Sequence, residues 1–170
     1  MLCPRCGHDN VPGLDVCSRC WQDLAQIDLP AGHDRIESSL LEDRISCLKP
    51  RHPVTINCTT SVREAVRMMT EQSVGALLVV DNNGKLDGIL SERDLLTWAA
   101  DLPPDQLDSR LAREFMSDNP DTVTPEDPLA RALQKMDVGR YRHLPVVSAG
   151  KPVGMISVRD VIRHISRLCK

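Results

Sequence analysis

The chain has 170 residues, of which 41% are hydrophobic and 26% are charged, a balance typical of a globular protein. A formal net charge of −3 gives no overall reason to bind nucleic acid or an anionic membrane. Aromatic residues make up only 2%, so we expect an aliphatic core and aliphatic walls around any planar ligand. Neither a signal-peptide pattern nor an apolar run near the roughly 20 residues of a membrane span is present, so we expect a cytoplasmic protein.

The first four cysteines form two Cys-x-x-Cys hooks, which predict a metal site. Cys3 and Cys6 make the first hook, and Cys17 and Cys20 make the second after ten intervening residues. Four thiolates at this spacing suit a closed, tetrahedral structural Zn²⁺ site. So short a segment cannot build a core, so the metal would supply the folding energy. A redox dithiol or an iron–sulfur centre is the alternative.

Each hook must bend so that backbone N–H groups face the sulfur atoms. Gly7 suits that bend because glycine tolerates φ > 0, and we expect the ring of Trp21, at the matching place, to pack against the metal lobe. Since four cysteines fill the site, His8 is interpreted as a solvent-facing turn residue instead of a ligand. Residues 1–28 resemble a zinc ribbon, a type of module that often contacts nucleic acid or proteins. Residues 1–24 hold two arginines and three aspartates, which favours a protein contact over phosphate.

Residues 29–52 predict a linker followed by a lead-in helix. The stretch at 28–33, Asp-Leu-Pro-Ala-Gly-His, has the composition of a connector. Apolar residues then recur at helical spacing, at Ile36, Leu40, Leu41, Ile45 and Leu48. Pro50 and Pro53 end this predicted helix.

The remainder of the chain is an internal repeat. Gly88-Ile-Leu-Ser-Glu-Arg-Asp94 recurs 66 residues later as Gly154-Met-Ile-Ser-Val-Arg-Asp160, and the offset is 67 before the turn at 81–85. Each copy predicts the order β-α-β-β-α, over residues 53–100 and 101–170, and a second lead-in helix is expected at about 109–116. The predicted strands are 54–56, 75–80, 86–90, 121–124, 143–147 and 152–156. Two copies indicate like units packed about a pseudo-twofold axis.

The repeated motif marks a strand that runs into a helix. Ser91 and Ser157 lie where an N-cap is expected, and Asp94 and Asp160 occupy the third helical position. A strand-to-helix corner also presents free N–H groups to which anions bind. Helix capping alone accounts for the serine and the aspartate but not for the glycine or the arginine, so capping and ligand binding both stay open.

A tandem β-α-β-β-α unit that ends in Gly-h-h-Ser-x-Arg-Asp, where h is apolar, resembles a pair of cystathionine-β-synthase (CBS) domains. The resemblance covers roughly residues 36–170 and implies an α/β (α+β) fold: two CBS repeats packed as a pseudo-twofold pair, preceded by a small zinc-ribbon lobe. Proteins similar to this are non-enzymatic regulatory modules. Their two clefts bind AMP, ADP, ATP or S-adenosylmethionine, and two pairs commonly join as a homodimer.

The resemblance also implies the ligand-binding residues. Asp94 and Asp160 match the aspartate that accepts hydrogen bonds from ribose hydroxyls, a role that suits a carboxylate. The other implied positions are Val54, Thr55 and Thr122 at the first-strand edges, Ala76 and His143 before a central strand, Ser91 and Ser157 near ribose or phosphate, and the cations Arg93, Arg142 and Arg159. Asp121 is polar where the family usually has an apolar residue. Because Gly75 and Ala76 align with Arg142 and His143, we expect the one cleft that those two cations face to bind the phosphorylated ligand more tightly.

These features favour a regulatory protein that binds an adenosine nucleotide and signals to an unknown protein partner. The alternative is a zinc-ribbon protein that binds nucleic acid or acts as a scaffold, in which the CBS pair only dimerises; the acidic ribbon disfavours it. An enzyme is disfavoured because His143, Ser157 and Asp160 match a triad by residue type only, and Ser157 belongs to a duplicated cap.

Overall fold

The computed structural model describes residues 3, 5–11, 14–22, 24, 35–99 and 103–169. The chain divides into a unit of residues 1–38 and a larger unit of residues 39–170. Helix α1 (Arg35–Glu42) and a 3₁₀ helix (Ile45–Leu48) precede the first repeat. That repeat contains β1 (Thr55–Asn57), α2 (Val62–Gln72), β2 (Ala76–Val80), β3 (Leu86–Ser91) and α3 (Glu92–Asp94), which continues as a π-helical turn (Leu95–Ala99). The second contains β4 (Ser117–Asp118), α4 (Leu129–Gly139), β5 (His143–Ser148), β6 (Lys151–Ser157) and α5 (Val158–Leu168).

The first sheet has the order β1-β2-β3-β4, with β2 parallel to β1 and antiparallel to β3. Residues 76–79 of β2 are fully buried, which explains why its sequence is a continuous apolar run. In the second repeat, β5 pairs with β6, and single bridges join Val123 to Val146 and Arg51 to Met155. The predicted strand at 121–124 is thus reduced to one bridge, but the same four-strand pattern recurs.

Each repeat has its core completed by the segment that precedes the other repeat. Ile45 is fully buried in the cluster that contains Val123 and Leu129 of the second repeat. Ala112 and Phe115, which precede the second repeat, lie in the core of the first. Because these segments are exchanged, the two repeats share their hydrophobic cores and neither is complete alone.

The lead-in helices are shorter than the sequence predicts. The first ends at Glu42 and resumes as a separate 3₁₀ helix, and the segment predicted as helix at 109–116 contains only a 3₁₀ turn, Ala112–Glu114. In both segments the chain becomes extended in order to bridge to the other repeat, at Arg44–Pro128 and at Leu111–Ser61. These bridges are tertiary contacts, so the apolar spacing alone could not reveal the breaks.

The exchanged segments also explain the two motif glycines, which are both buried. A Cβ atom at Gly88 would lie 2.6 Å from Sδ of Met116, and one at Gly154 would lie 2.6 Å from Cβ of Pro50. Since real Cβ contacts do not come this close, glycine is required where the exchanged segment crosses the strand.

We expect Gly154→Ala to lower the free energy of unfolding by about 1–3 kcal/mol, because the rigid ring of Pro50 must shift. Gly88→Ala is the matched control and should cost less, because the flexible side chain of Met116 can move away, which leaves only a 3.1 Å approach to the carbonyl oxygen of Ser117. Urea unfolding of both variants measures the difference. Equal losses of stability in the two variants, or no loss in either, would contradict the role of the close contact between Gly154 and Pro50.

Candidate functional site

Two clefts lie between the repeats, with volumes of about 400 and 430 Å³, which is within the usual range for small-ligand pockets. One side of cleft A is formed by the end of β3 and the start of α3. The other side is formed by residues 117–121 and 139–143 of the second repeat. One side of cleft B is formed by the end of β6 and the start of α5. The other side is formed by residues 51–54 and 72–75. Each cleft therefore joins the motif of one repeat to the lead-in edge of the other.

The structure distributes the predicted ligand-binding residues over both clefts. Ser91, Arg93 and Asp94 line cleft A; Val54, Ser157, Arg159 and Asp160 line cleft B; Arg142 and His143 line both. The other three predicted positions are not among the residues that line either cleft. Thr55 is exposed on β1, Ala76 is fully buried opposite Ser91 in the sheet, and the carbonyl of Thr122 accepts a hydrogen bond from Nζ of Lys135 at 2.9 Å.

Asp94 and Asp160 each form a capping box with the serine three residues earlier. The N–H and Oγ of Ser91 donate to Oδ2 of Asp94 at 2.8 and 2.6 Å. The corresponding bonds from Ser157 to Oδ2 of Asp160 are 2.8 and 2.7 Å long. Oδ1 of Asp160 accepts a bond from Arg163 at 3.2 Å. Capping therefore engages Oδ2, while each carboxylate also lines a cleft and keeps acceptor capacity for a ligand hydroxyl.

The two clefts differ in charge. Cleft A is lined by three arginines and four carboxylates: Arg93, Arg140, Arg142, Glu92, Asp94, Asp118 and Asp121. Cleft B is lined by four arginines and two carboxylates: Arg51, Arg142, Arg159, Arg163, Glu92 and Asp160. Among the described residues, cleft B therefore has an excess of cations and cleft A has an excess of anions.

The expectation that Arg142 and His143 belong to one cleft is wrong, because both residues line a wall that the clefts share. Gly75 and Glu92 complete this shared wall. The N–H of Glu92 donates to the carbonyl of Gly75 at 3.0 Å, and a Cβ atom at Gly75 would lie 3.1 Å from Cε1 of His143. Tight packing thus fixes the wall, and the charge difference arises elsewhere.

The extra cations of cleft B, Arg51 and Arg163, were not predicted from the sequence. Arg51 lies in the exchanged lead-in segment, so only the tertiary fold reveals it. Arg163 follows Asp160 by three positions on α5, and this helical i,i+3 pairing was the available signal. Val54, Val74, Met155, Ile156 and Val158 provide the predicted aliphatic lining of this cleft.

Cleft A contains an ion-paired carboxylate at the position where the sequence departs from the CBS pattern. The hydroxyl of Tyr141 donates to Asp121, and Nζ of Lys135 lies 3.0 Å from Oδ1 of Asp121. The bond from Tyr141 and then that from Lys135 hold the pKa of Asp121 below its usual value, while burial followed by the contact with Asp121 raises the pKa of Tyr141 to about 12. Asp121 therefore stays ionised, with its charge paired to that of Lys135, and adds no cation to this edge of cleft A.

The smaller unit brings the four predicted metal ligands together. Sγ of Cys3 lies 3.6 Å from Sγ of Cys20, Sγ of Cys6 lies 3.7 Å from Sγ of Cys17, and all four sulfur atoms lie within 4.8 Å of one another. A tetrahedron with Zn–S bonds of about 2.3 Å has edges of about 3.8 Å. The sulfur positions thus fit a tetrahedral zinc ion.

The two hooks have the same backbone form. The N–H of Gly7 donates to the carbonyl of Cys3 at 2.8 Å, and the N–H of Trp21 donates to that of Cys17 at 3.0 Å, with φ values of 67° and 59°. The expectation that the Trp21 ring packs on the metal lobe is wrong, since the residue is 79% exposed. Burial opposes ionisation of Cys17, but hydrogen bonds from the N–H groups of Arg19 and Cys20 and from Asn10 lower its pKa to about 6. A hydrogen bond from the N–H of Gln22 favours the thiolate of Cys20, but burial and the contacts with the other three thiols raise its pKa to about 12. Metal binding at this cluster would therefore release protons.

Comparison with known proteins identifies the larger unit. A family model described as the CBS domain matches residues 45–101 and 112–167. The chain belongs to the CBS domain family. The predicted tandem CBS fold is thereby confirmed, and proteins of this family are regulatory modules. No helix in the described part of the chain is long and apolar enough to cross a membrane.

Three similar proteins illustrate the family. The chain is 37% identical to CBSX3, mitochondrial, from Arabidopsis thaliana over 113 residues, which cover 64% of this chain and 55% of that protein. A solved CBS-domain containing protein from Agrobacterium tumefaciens has a TM-score of 0.64 and 29% identity, covering 71% of this chain and 95% of its own. The structure of CBSX2 in complex with AMP has a TM-score of 0.64 and 26% identity, and the match covers 75% of this chain and 98% of that one. The chain spans between 23% and 55% of the first curated relatives that it matches.

His143 on the shared wall of the CBS pair makes stability depend on pH. Burial, and then the charge of Arg142, lower the pKa of His143 from 6.5, against the opposing charges of Glu92 and Asp160. The unfolded chain therefore binds this proton more readily, so the contribution to stability is present above pH 6.5 and is lost as the pH falls towards the folded-state pKa.

We expect the melting temperature of the protein to fall between pH 7 and pH 5, with a contribution from His143 of at most about 1.4 kcal/mol per pH unit. His143→Gln should flatten this dependence, whereas the exposed His52→Gln serves as the matched control. Thermal unfolding across this pH range measures the slope of melting temperature against pH for the wild-type protein and both variants. An unchanged slope in His143→Gln would contradict the assignment.

Proposed function

We propose that this CBS pair senses an adenosine nucleotide that binds in cleft B. The observation that carries the proposal is the excess of four arginines over two carboxylates around a cleft with aliphatic walls. Charge-assisted hydrogen bonds to a phosphate contribute about 1.5–3 kcal/mol each, so this excess selects a phosphorylated ligand. The presence of AMP in the similar CBSX2 structure supports an adenosine ligand.

Within cleft B, Asp160 accepts hydrogen bonds from the ribose hydroxyls, and Arg51, Arg142, Arg159 and Arg163 are the candidate partners of the phosphate. Asp160 lies in the first turn of α5, an eleven-residue helix whose N-terminus adds positive potential. The cations that line cleft A do not outnumber its carboxylates, so it attracts phosphates less than cleft B does, and an uncharged or cationic adenosine compound such as S-adenosylmethionine suits it better.

The duplicated motif supplies a matched pair of variants. Asp160→Asn and Asp94→Asn remove equivalent carboxylates with equivalent capping bonds, so we expect small losses of stability in both, slightly larger for Asp160→Asn because it also removes the ion pair with Arg163. We expect Asp160→Asn to weaken AMP binding at least tenfold, because an amide is a poorer acceptor for ribose hydroxyls, while Asp94→Asn leaves it near the wild-type value. Isothermal titration calorimetry with adenosine, AMP, ADP, ATP and S-adenosylmethionine measures both effects.

A greater loss of AMP affinity in Asp94→Asn than in Asp160→Asn would move the nucleotide to cleft A. If none of the five compounds binds or raises the melting temperature of the wild-type protein, the sensor function itself fails. Thermal unfolding of each variant without ligand controls for the loss of the cap.

We also propose that the N-terminal ribbon holds one structural Zn²⁺ through Cys3, Cys6, Cys17 and Cys20. We expect at least one zinc per chain by elemental analysis, and Cys17→Ser should lose one equivalent, because three thiolates no longer close the tetrahedron. Cys58→Ser, which lies in the CBS pair, is the control. Zinc retained at full stoichiometry in Cys17→Ser, or no zinc in the wild-type protein, would contradict this site.

The ribbon is proposed to contact a protein partner. Trp21 and Val11 are strongly exposed, and the lobe is acidic, which suits a protein surface better than a phosphate backbone.

Leu96 and Ile162 are exposed at equivalent positions after the two motifs, which supports the proposed homodimer through the CBS pair. Reduced cysteine thiols suit a reducing compartment such as the cytoplasm.

A further inference from the structure

A cluster of metal-ligating side chains lies outside both clefts, between the lead-in segment and α5. Nε2 of His164 is 3.0 Å from Oδ2 of Asp43, and Nδ1 of His164 is 4.0 Å from Sγ of Cys47. One ligand atom from each of the three residues lies within 4.8 Å of the other two. Cys47 lies 117 positions before His164 and Asp43 lies 121 positions before it, so the exchange of the lead-in segment creates the cluster.

Neighbouring contacts hold the cluster in place. Oγ of the buried Ser39 donates to Oδ2 of Asp43 at 2.5 Å and lies 2.8 Å from Nε2 of His164. The side chain of His164 is only 13% exposed, whereas that of Asp43 is 41% exposed and Cys47 is also exposed. The imidazole is therefore fixed, and the cluster opens to solvent on the side of the thiol.

The pseudo-twofold symmetry provides an internal comparison. The positions equivalent to Asp43 and Cys47, with the offset of 67 residues, are Arg110 and Glu114. These two side chains form an ordinary ion pair of 2.9 Å. Ile45 and its equivalent, Ala112, are both fully buried, so the segments superpose in register. An ion pair between these two positions is thus sufficient for packing in the other repeat, and metal-ligating side chains are not needed there for packing.

We propose that Asp43, Cys47 and His164 form a binding site for one thiophilic divalent cation of the zinc class. Thiolate, imidazole and carboxylate together suit Zn²⁺ and its analogue Co²⁺, and three protein ligands leave one position open to water. Asp43 contacts Nε2 of His164 and Cys47 contacts Nδ1, and only one ring nitrogen can bind the ion. One ligand atom from each residue lies within 4.8 Å of the other two, whereas bonds of about 2.0–2.3 Å require separations of about 3.3–3.8 Å, so binding draws the three side chains closer together. Binding releases the thiol proton of Cys47 to solvent.

The bound cation would tie α5 to the lead-in segment. His164 lies on the same helix as Asp160 and Arg163, which line cleft B. The inference does not depend on nucleotide binding, because the cluster is formed by residues outside both clefts.

The test uses the full chain without a polyhistidine tag, loaded with one equivalent of zinc, which the four thiolates of the ribbon bind in preference to the three-ligand cluster, and then freed of excess metal. Co²⁺ is then titrated while the charge-transfer absorption from thiolate to Co²⁺ is recorded. We expect one equivalent of Co²⁺ to bind the wild-type protein with this absorption. Cys47→Ser should abolish the absorption, and His164→Gln and Asp43→Asn should weaken binding at least tenfold.

Cys169→Ser, which alters another exposed cysteine near the end of α5, is the matched control and should bind Co²⁺ like the wild-type protein. Absorption in Cys47→Ser equal to that of the wild-type protein, an equal loss in Cys169→Ser, or binding only at millimolar Co²⁺ would overturn the site. Metal exchange in the ribbon would add the same absorption to the wild-type and Cys47→Ser proteins, so the difference between the two reports on the cluster alone. Melting temperatures without Co²⁺ establish that each variant is folded, and Co²⁺ should raise that of the wild-type protein but not that of Cys47→Ser.

Discussion

The exchange of lead-in segments is the constraint on which the rest of this CBS pair depends. Ile45 fills the core of the second repeat, and Phe115 fills that of the first. Burying a side chain of this kind contributes about 1.5–3 kcal/mol, so each repeat lacks a substantial share of its core without the other. The same crossing requires glycine at positions 88 and 154 and places Arg51 beside the motif of the second repeat.

Duplication has produced two corners with the same backbone and different chemistry. Both aspartates cap their helices with the same bonds, so the geometry that a ligand meets is nearly equal in the two clefts. The difference lies in the residues around each corner. At the edge of one cleft, Asp121 is held by Tyr141 and Lys135, whereas Arg51 and Arg163 add cations to the other cleft.

Local signals were sufficient to predict much of this structure. The capping boxes at Ser91 and Ser157, the turn at 81–85 and the bend at Gly7 depend on neighbours in sequence, and all are present in the structure. Features that depend on tertiary contacts were missed. The breaks in the lead-in helices arise from bridges to the other repeat, Trp21 faces solvent because the hook itself fixes its backbone, and nothing near Cys47 in the sequence indicates a histidine 117 residues away.

The shared wall means that the two clefts cannot be electrostatically independent. Arg142 has a single guanidinium group that lines both clefts, and His143 and Glu92 lie beside it. An anion that pairs with this group from one side neutralises it for the other side, because one cation can offset only one negative charge. Under the proposed function, occupancy of either cleft by an anion would lower the attraction of the other cleft for a second anion, so the two clefts would not bind anions additively.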